Sequence, residues 1–107
     1  MNLLEKYIEY IRVGNAKKIA SIFAEDAFFY DEGPTKVGQP VISLKGRKEI
    51  EAMFTEVFKS GGFDIVNVAI NGSAMRYDVQ YGDTDILLLG VITEENGLIG
   101  SYKIKIV

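Results

Sequence analysis

Asp31 closes the apolar run Phe28-Phe29-Tyr30 just ahead of Glu32-Gly33-Pro34, and Tyr7 stands 24 residues before it. The chain has neither Cys nor His, so any acid-base work falls to Asp, Glu, Lys or Tyr. A carboxylate set among Phe29, Phe54 and Phe58 loses hydration. Its pKa then rises, which makes it a better proton acceptor near neutral pH. A Tyr7 hydroxyl aimed into the same space would polarise a carbonyl, and losing such a donor typically slows catalysis roughly 10²-fold or more. Both residues also have plainer roles open to them. An Asp before Gly-Pro caps a turn with its side chain, and Tyr7, one turn from Leu3, Leu4 and Ile11, packs as a core aromatic.

Other chemistry has less support. Asp83-Thr84-Asp85 and Glu94-Glu95 offer oxygen ligands, but both groups fall at hairpin turns where acidic residues are common, so no metal site is expected. Gly61-Gly62 follows a helix and no Gly-Lys-Ser sequence occurs, so no phosphate loop and no cofactor is expected. A net charge of −3 argues against a nucleic-acid partner, because such binders concentrate Lys and Arg on one face. The only dense basic stretch, Lys45-Gly46-Arg47-Lys48, reads as a helix entrance. Charges fall early in Met1-Asn2-Leu3-Leu4-Glu5-Lys6, where a signal peptide needs its apolar region, and no apolar run is long enough to span a bilayer. A cytoplasmic protein with no membrane partner is expected, and the lack of Cys suits that compartment.

The elements that would position Asp31 and Tyr7 follow from periodicity. Leu3, Leu4, Tyr7, Ile8 and Ile11 recur at helical spacing, and Gly14-Asn15 stops that helix and caps the next. Ile19, Ala20, Ile22 and Phe23 predict a second, shorter helix leading into the strand that ends at Asp31. Gly33-Pro34 and Gly38-Gln39-Pro40 punctuate a loop that would form a pocket rim. Gly46-Arg47 opens a third helix with the apolar stripe Ile50, Met53, Phe54, Val57 and Phe58, ended by Gly61-Gly62. Turn signals at Asn71-Gly72, Gly82-Asp83 and Asn96-Gly97 divide the remainder into four strands, about 63–70, 73–81, 84–93 and 98–107. Residues 1–107 thus form a single α+β domain: a cone of three helices on one side of a curved, mainly antiparallel sheet. Tyr102 and Ile104, with Leu87 and Leu89 on the strand before, are expected to line its interior, making a dry apolar cavity.

This order of elements resembles the nuclear transport factor 2-like superfamily, which includes ketosteroid isomerases and SnoaL-like polyketide cyclases. The residues that carry the resemblance are Tyr7-Ile8-Glu9, Gly14-Asn15, Phe23-Ala24-Glu25-Asp26-Ala27, Asp31 and Gly46-Arg47-Lys48-Glu49-Ile50. It implies that Asp31 is a general base and Tyr7 a hydrogen-bond donor to a developing enolate. The isomerases' second donor, a protonated Asp on a later strand, falls on Leu89 when counted from Asn96-Gly97. The family's supporting tyrosines fall on Phe23 and Phe54. The loop between Asp31 and Gly46 is longer than in the isomerases.

The function expected is a small-molecule pocket of the isomerase or cyclase type, with Asp31 and Tyr7 catalytic and Phe23, Phe29, Phe54, Phe58, Leu87, Leu89, Tyr102 and Ile104 lining it. Its substrate would be an apolar molecule with an acidic C–H beside a carbonyl. The competing expectation is a non-catalytic ligand-binding or dimerisation module, because Leu89, Phe23 and Phe54 delete polar groups the isomerases use. The resemblance also implies a homodimer paired through the sheet, for which Ile65, Val79 and Tyr81 offer an apolar face.

Overall fold

Asn2 begins the first helix, α1 (Leu3–Arg12), by a reciprocal cap: its side chain accepts from the Glu5 N–H at 2.8 Å while the Glu5 carboxylate accepts from the Asn2 N–H at 2.9 Å. The apolar positions then bury Leu4, Tyr7, Ile8 and Ile11 on one face. Asn15 caps α2 (Ala16–Ser21) in the same manner, through the Lys18 N–H. In the computed structural model, which describes residues 1–107, Phe23 is not part of that helix but starts strand β1 (Phe23–Asp31). The β-branched Ile22 ends α2, and an Arg47 guanidinium holds Phe23 in the sheet by donating twice to its carbonyl, at 2.9 and 2.7 Å.

The loop after Asp31 is tighter than the sequence suggests. Gly33–Val37 winds into a 3₁₀ turn with Pro34 in its first positions, and it is followed by the short strand β2 (Ile42–Lys45) and by α3 (Arg47–Lys59). The remaining strands are β3 (Asp64–Asn71), β4 (Ala74–Tyr81), β5 (Thr84–Glu95) and β6 (Leu98–Ile106). They join one six-stranded sheet in the order β2-β1-β6-β5-β4-β3, antiparallel except where β1 runs parallel to β6. At the β5–β6 hairpin both Asn96 and Gly97 adopt positive φ, 53° and 81°, which an Asn-Gly pair tolerates at little cost.

The three helices cover one face of this sheet, giving the α+β cone. Its core includes Leu4, Ile19, Phe23, Phe29, Ile50, Phe54, Met75, Ile99, Tyr102 and Ile104, all essentially without solvent contact. A register irregularity in β1 between Phe23 and Phe28 pushes Glu25 and Asp26 outward. Phe23, Ala27 and Phe29 therefore all turn inward. No helix is long and apolar enough to cross a membrane.

Strand parity corrects two expectations. Leu87 and Leu89 do not line the interior: Leu89 is 41% exposed and Leu87 only half-buried, whereas Ile86, Leu88, Gly90 and Ile92 face the core. The physical reason is register, because Leu88 pairs with Tyr77 and Gly90 with Met75, both inward on β4, while Leu89 pairs with the outward Arg76. Likewise Ile65 is buried rather than part of an exposed apolar face, and Val79 is half-buried. Of the three residues expected there only Tyr81 is open to solvent.

Candidate functional site

Asp31 ends the inward row Phe29–Asp31 of β1 and pairs with Ile104 of β6 on one side and Ile42 of β2 on the other. Its carboxylate accepts from the Gly33 N–H at 2.7 Å, so the turn-capping role is realised. That bond does not exhaust the group. Burial outweighs the stabilising Gly33 N–H, and with the neighbouring Glu32 charge the carboxyl pKa is pushed up to about 6. The carboxylate oxygen and the Leu88 side chain together leave little space at the buried Gly33, where an added Cβ would meet them at 3.0 and 3.3 Å. The 3₁₀ turn is anchored above this point, because the Glu32 N–H donates to the Ile104 carbonyl at 3.0 Å.

Tyr7 reaches the same interior from α1. Its ring meets Phe23, Phe54 and Tyr102 edge-on, with centroids 6.3, 6.1 and 5.1 Å away. Phe29 contacts Phe54 and Tyr102 in the same way, each at 5.8 Å. Edge-to-face geometry is the favoured one for aromatic pairs, so these rings hold one another's orientation. Burial, then the neighbouring Tyr102, then the Asp31 charge all raise the Tyr7 pKa, which keeps its phenol protonated and a donor throughout the neutral range.

Two further phenols belong to the group. Tyr102 from β6 has no solvent exposure; its hydroxyl meets no partner at full hydrogen-bond geometry, and the Tyr77 phenol of β4 is its nearest polar neighbour, close enough to lower the Tyr102 pKa by a weak hydrogen bond. Burial is the main reason both have raised pKa values, and the Asp31 charge adds to it. The cluster is thus one carboxylate and three tyrosines, drawn from α1, β1, β4 and β6, set among Phe23, Phe29, Phe54 and Ile104. Phe58 lies one turn further along α3, stacked on Phe54 at 5.9 Å, and borders a different cleft.

Tyr77 is the member that sequence reasoning passes over. Its signal is present in the alternation of Met75, Tyr77 and Val79 with Arg76, Asp78 and Gln80, which puts a phenol on the same face as two apolar residues. Gly90 carries a signal too, since a glycine inside an apolar strand marks a close approach.

Two surface clefts lie elsewhere. One of about 620 Å³ runs between the ends of α1 and α3 and β3, bordered by Ile11, Arg12, Phe58 and Phe63. Another of about 370 Å³ separates α1 from Val68 and Ile70. Neither touches Asp31. No group of three or more acidic side chains is arranged to hold a metal ion.

No protein-family model matches the sequence, and no curated protein matches it. Solved structures do resemble the fold. A nuclear transport factor 2-like protein of unknown function from Cytophaga hutchinsonii superposes with a TM-score of 0.70 at 14% identity, over 98% of this chain and 87% of that one. A protein with a ketosteroid isomerase-like fold from Catenulispora acidiphila, in complex with trimethylamine, gives 0.68 at 11%, over 96% and 83%. An LEH-like epoxide hydrolase from M. tuberculosis gives 0.66 at 15%, over 98% and 80%. The chain therefore has the nuclear transport factor 2-like fold.

Proposed function

We propose that the protein binds an apolar small molecule carrying a carbonyl and removes a proton from the adjacent carbon, with Asp31 as general base and Tyr7 as hydrogen-bond donor to the developing enolate. The observation that carries this is the largely buried Asp31 carboxylate at the end of the inward row of β1, beside an aromatic interior that also holds the Tyr7 phenol; burial pushes its pKa up to about 6. A base with its pKa near the working pH combines a deprotonated population with real proton affinity. An apolar surround excludes water from the carbanion. The 3₁₀ turn after Asp31 is the element past which a substrate would enter, and its longer loop would set substrate choice.

The test pairs a titration with turnover. Carboxyl NMR of Asp31 is expected to give a pKa close to 6, and an ordinary value near 4 that ignores ligands would defeat the assignment. On a panel of β,γ-unsaturated ketones and cyclisable ketides, Asp31→Asn is expected to lose about 10²–10⁴-fold in rate. Equal rates for the two proteins would remove Asp31 from the chemistry.

A second reading has its own support. Leu89 and Val91, 41% and 46% exposed, make an apolar stripe on the uncovered face of the sheet, and the two clefts described above miss Asp31. In that reading the cone is a non-catalytic module that pairs with a second copy through this face. Absence of turnover by wild type on the whole panel, with a dimer in light scattering, would favour it.

A further inference from the structure

On the inner face of β5 a side chain is missing where the cone needs one. Gly90 pairs with Met75 on β4 and with Ile104 on β6, so its Cβ direction points into the aromatic interior. A Cβ built there would fall 2.6 Å from the Tyr102 hydroxyl oxygen and 2.8 Å from Cζ, and it would also collide with Cε1. Tyr102 thus lies across the strand next to its own, and its phenol fills the volume that a β5 side chain would take. Only glycine at position 90 permits this.

The hydroxyl carried there is the one fully buried side-chain polar atom in the molecule without a well-formed hydrogen bond; its only polar contact is a weak one to the Tyr77 phenol. Buried hydroxyls are nearly always paired, and an exception inside a packed core calls for a ligand or a function. Two phenols flank it, Tyr7 at 5.1 Å ring to ring and Tyr77 beside it, and both can donate to an oxyanion; the nearby Asp31 opposes such a charge until it has taken up the substrate proton.

We propose that Tyr102, seated over Gly90, is a second hydrogen-bond donor to the substrate oxyanion beside Tyr7, so that β6 rather than β5 supplies the second polar group of the site. This rests on the proton-abstraction reading and assigns it a further catalytic residue. Gly90 is the positioning residue, acting only through the Tyr102 ring. Ligand entry gives the hydroxyl a full hydrogen-bond partner, which adds more to binding of the oxyanion than of the neutral ketone because a bond to a charged acceptor is the stronger. Burial keeps the phenol protonated as a donor.

The test uses 4-nitrophenolate as an oxyanion of known charge, titrated by absorbance at a pH where the probe is ionised. In the Asp31→Asn background the competing carboxylate charge is gone and the anion is expected to bind. Adding Tyr102→Phe is expected to weaken binding about ten- to a hundredfold, the size of one hydrogen bond to a charged group. Adding Tyr77→Phe should change it far less. Because Tyr102→Phe could perturb packing, 3-fluorotyrosine at position 102 provides a second readout that keeps the hydroxyl: its fluorine resonance should move as probe is added. Unchanged affinity in Tyr102→Phe overturns the assignment of Tyr102 and leaves Asp31 and Tyr7 untouched. A fluorine signal that stays fixed while the probe binds does the same. If Asp31→Asn does not bind the probe at its solubility limit, the assignment of Tyr102 falls, and the Asp31 titration decides the proton-abstraction reading separately.

Discussion

The two faces of β5 differ little in composition and greatly in fate. Inward it presents Ile86, Leu88, Gly90 and Ile92; outward, Leu87, Leu89 and Val91. Leu88 is 2% exposed and Leu89 41%, although the two are neighbours with the same side chain. The helices cover only one face, and the parity of the β4–β5 hairpin decides which leucine meets them. Apolarity alone therefore identifies neither core nor site in this strand. What distinguishes the inner face is that its neighbours β4 and β6, and β1 beyond β6, insert Tyr77, Tyr102 and Asp31 among the hydrocarbons, whereas the outer face sets Arg76, Lys103 and Lys105 in open solvent around its apolar stripe.

Truncating each leucine sharpens that contrast most. Leu88→Ala should cost about 3–4 kcal/mol in urea unfolding, because it leaves a cavity against Gly33 and Asp31. Leu89→Ala should cost under about 1 kcal/mol. Equal costs would mean that the outer face is covered in solution.

The next effect isolates the charge on the inner face. The folded pKa of Asp31, about 6, exceeds the ordinary 3.8, so the folded state holds its proton more tightly than the unfolded chain does. This contribution to stability is fully present below about pH 4 and is lost as pH rises through 6. Each pH unit between those two values costs about 1.4 kcal/mol, so the loss is about 3 kcal/mol by pH 7. Asp31→Asn, which can still accept from the Gly33 N–H, should raise stability by about 2–3 kcal/mol at pH 7 and by almost nothing at about pH 3.5. Denaturant midpoints across that range check it, and a gain independent of pH would mean that desolvation is not the cause.

The smallest change in fold stability comes from the outer face, with a distinct readout. Leu89→Lys should alter stability by no more than about 0.5 kcal/mol. If a second copy covers the stripe, the same substitution converts a dimer to a monomer in light scattering. A wild-type monomer at micromolar concentration would remove the pairing.

Much of the fold is legible in the sequence where the signal is local. The Asn2 and Asn15 caps, the stripe of α3 and the Asn-Gly turn mark element ends within a few residues, and the resulting order is what brings the fold into view. Asp31 and Tyr7 are legible as candidates because a carboxylate after an apolar run, and a phenol on an apolar helix face, are odd in themselves. Phe23 is misplaced because Ile19, Ala20, Ile22 and Phe23 fit a helical stripe, while its place in β1 is set by contacts far along the chain, the pairing with Ile99 of β6 and the Arg47 bonds to its carbonyl. Leu87 and Leu89 are misplaced because a strand with no alternation carries no parity.

The sequence by itself determined the set of chemical groups, the absence of thiol and imidazole, the helix ends and the turns, all of which depend on residues within a few positions of one another. Only the tertiary structure decided that Tyr7, Tyr77 and Tyr102 share one interior with Asp31, that the carboxyl is desolvated there, and that Gly90 makes way for a ring from the next strand. Those outcomes depend on register and on which face the helices cover, and both are set by contacts between elements far apart in the chain.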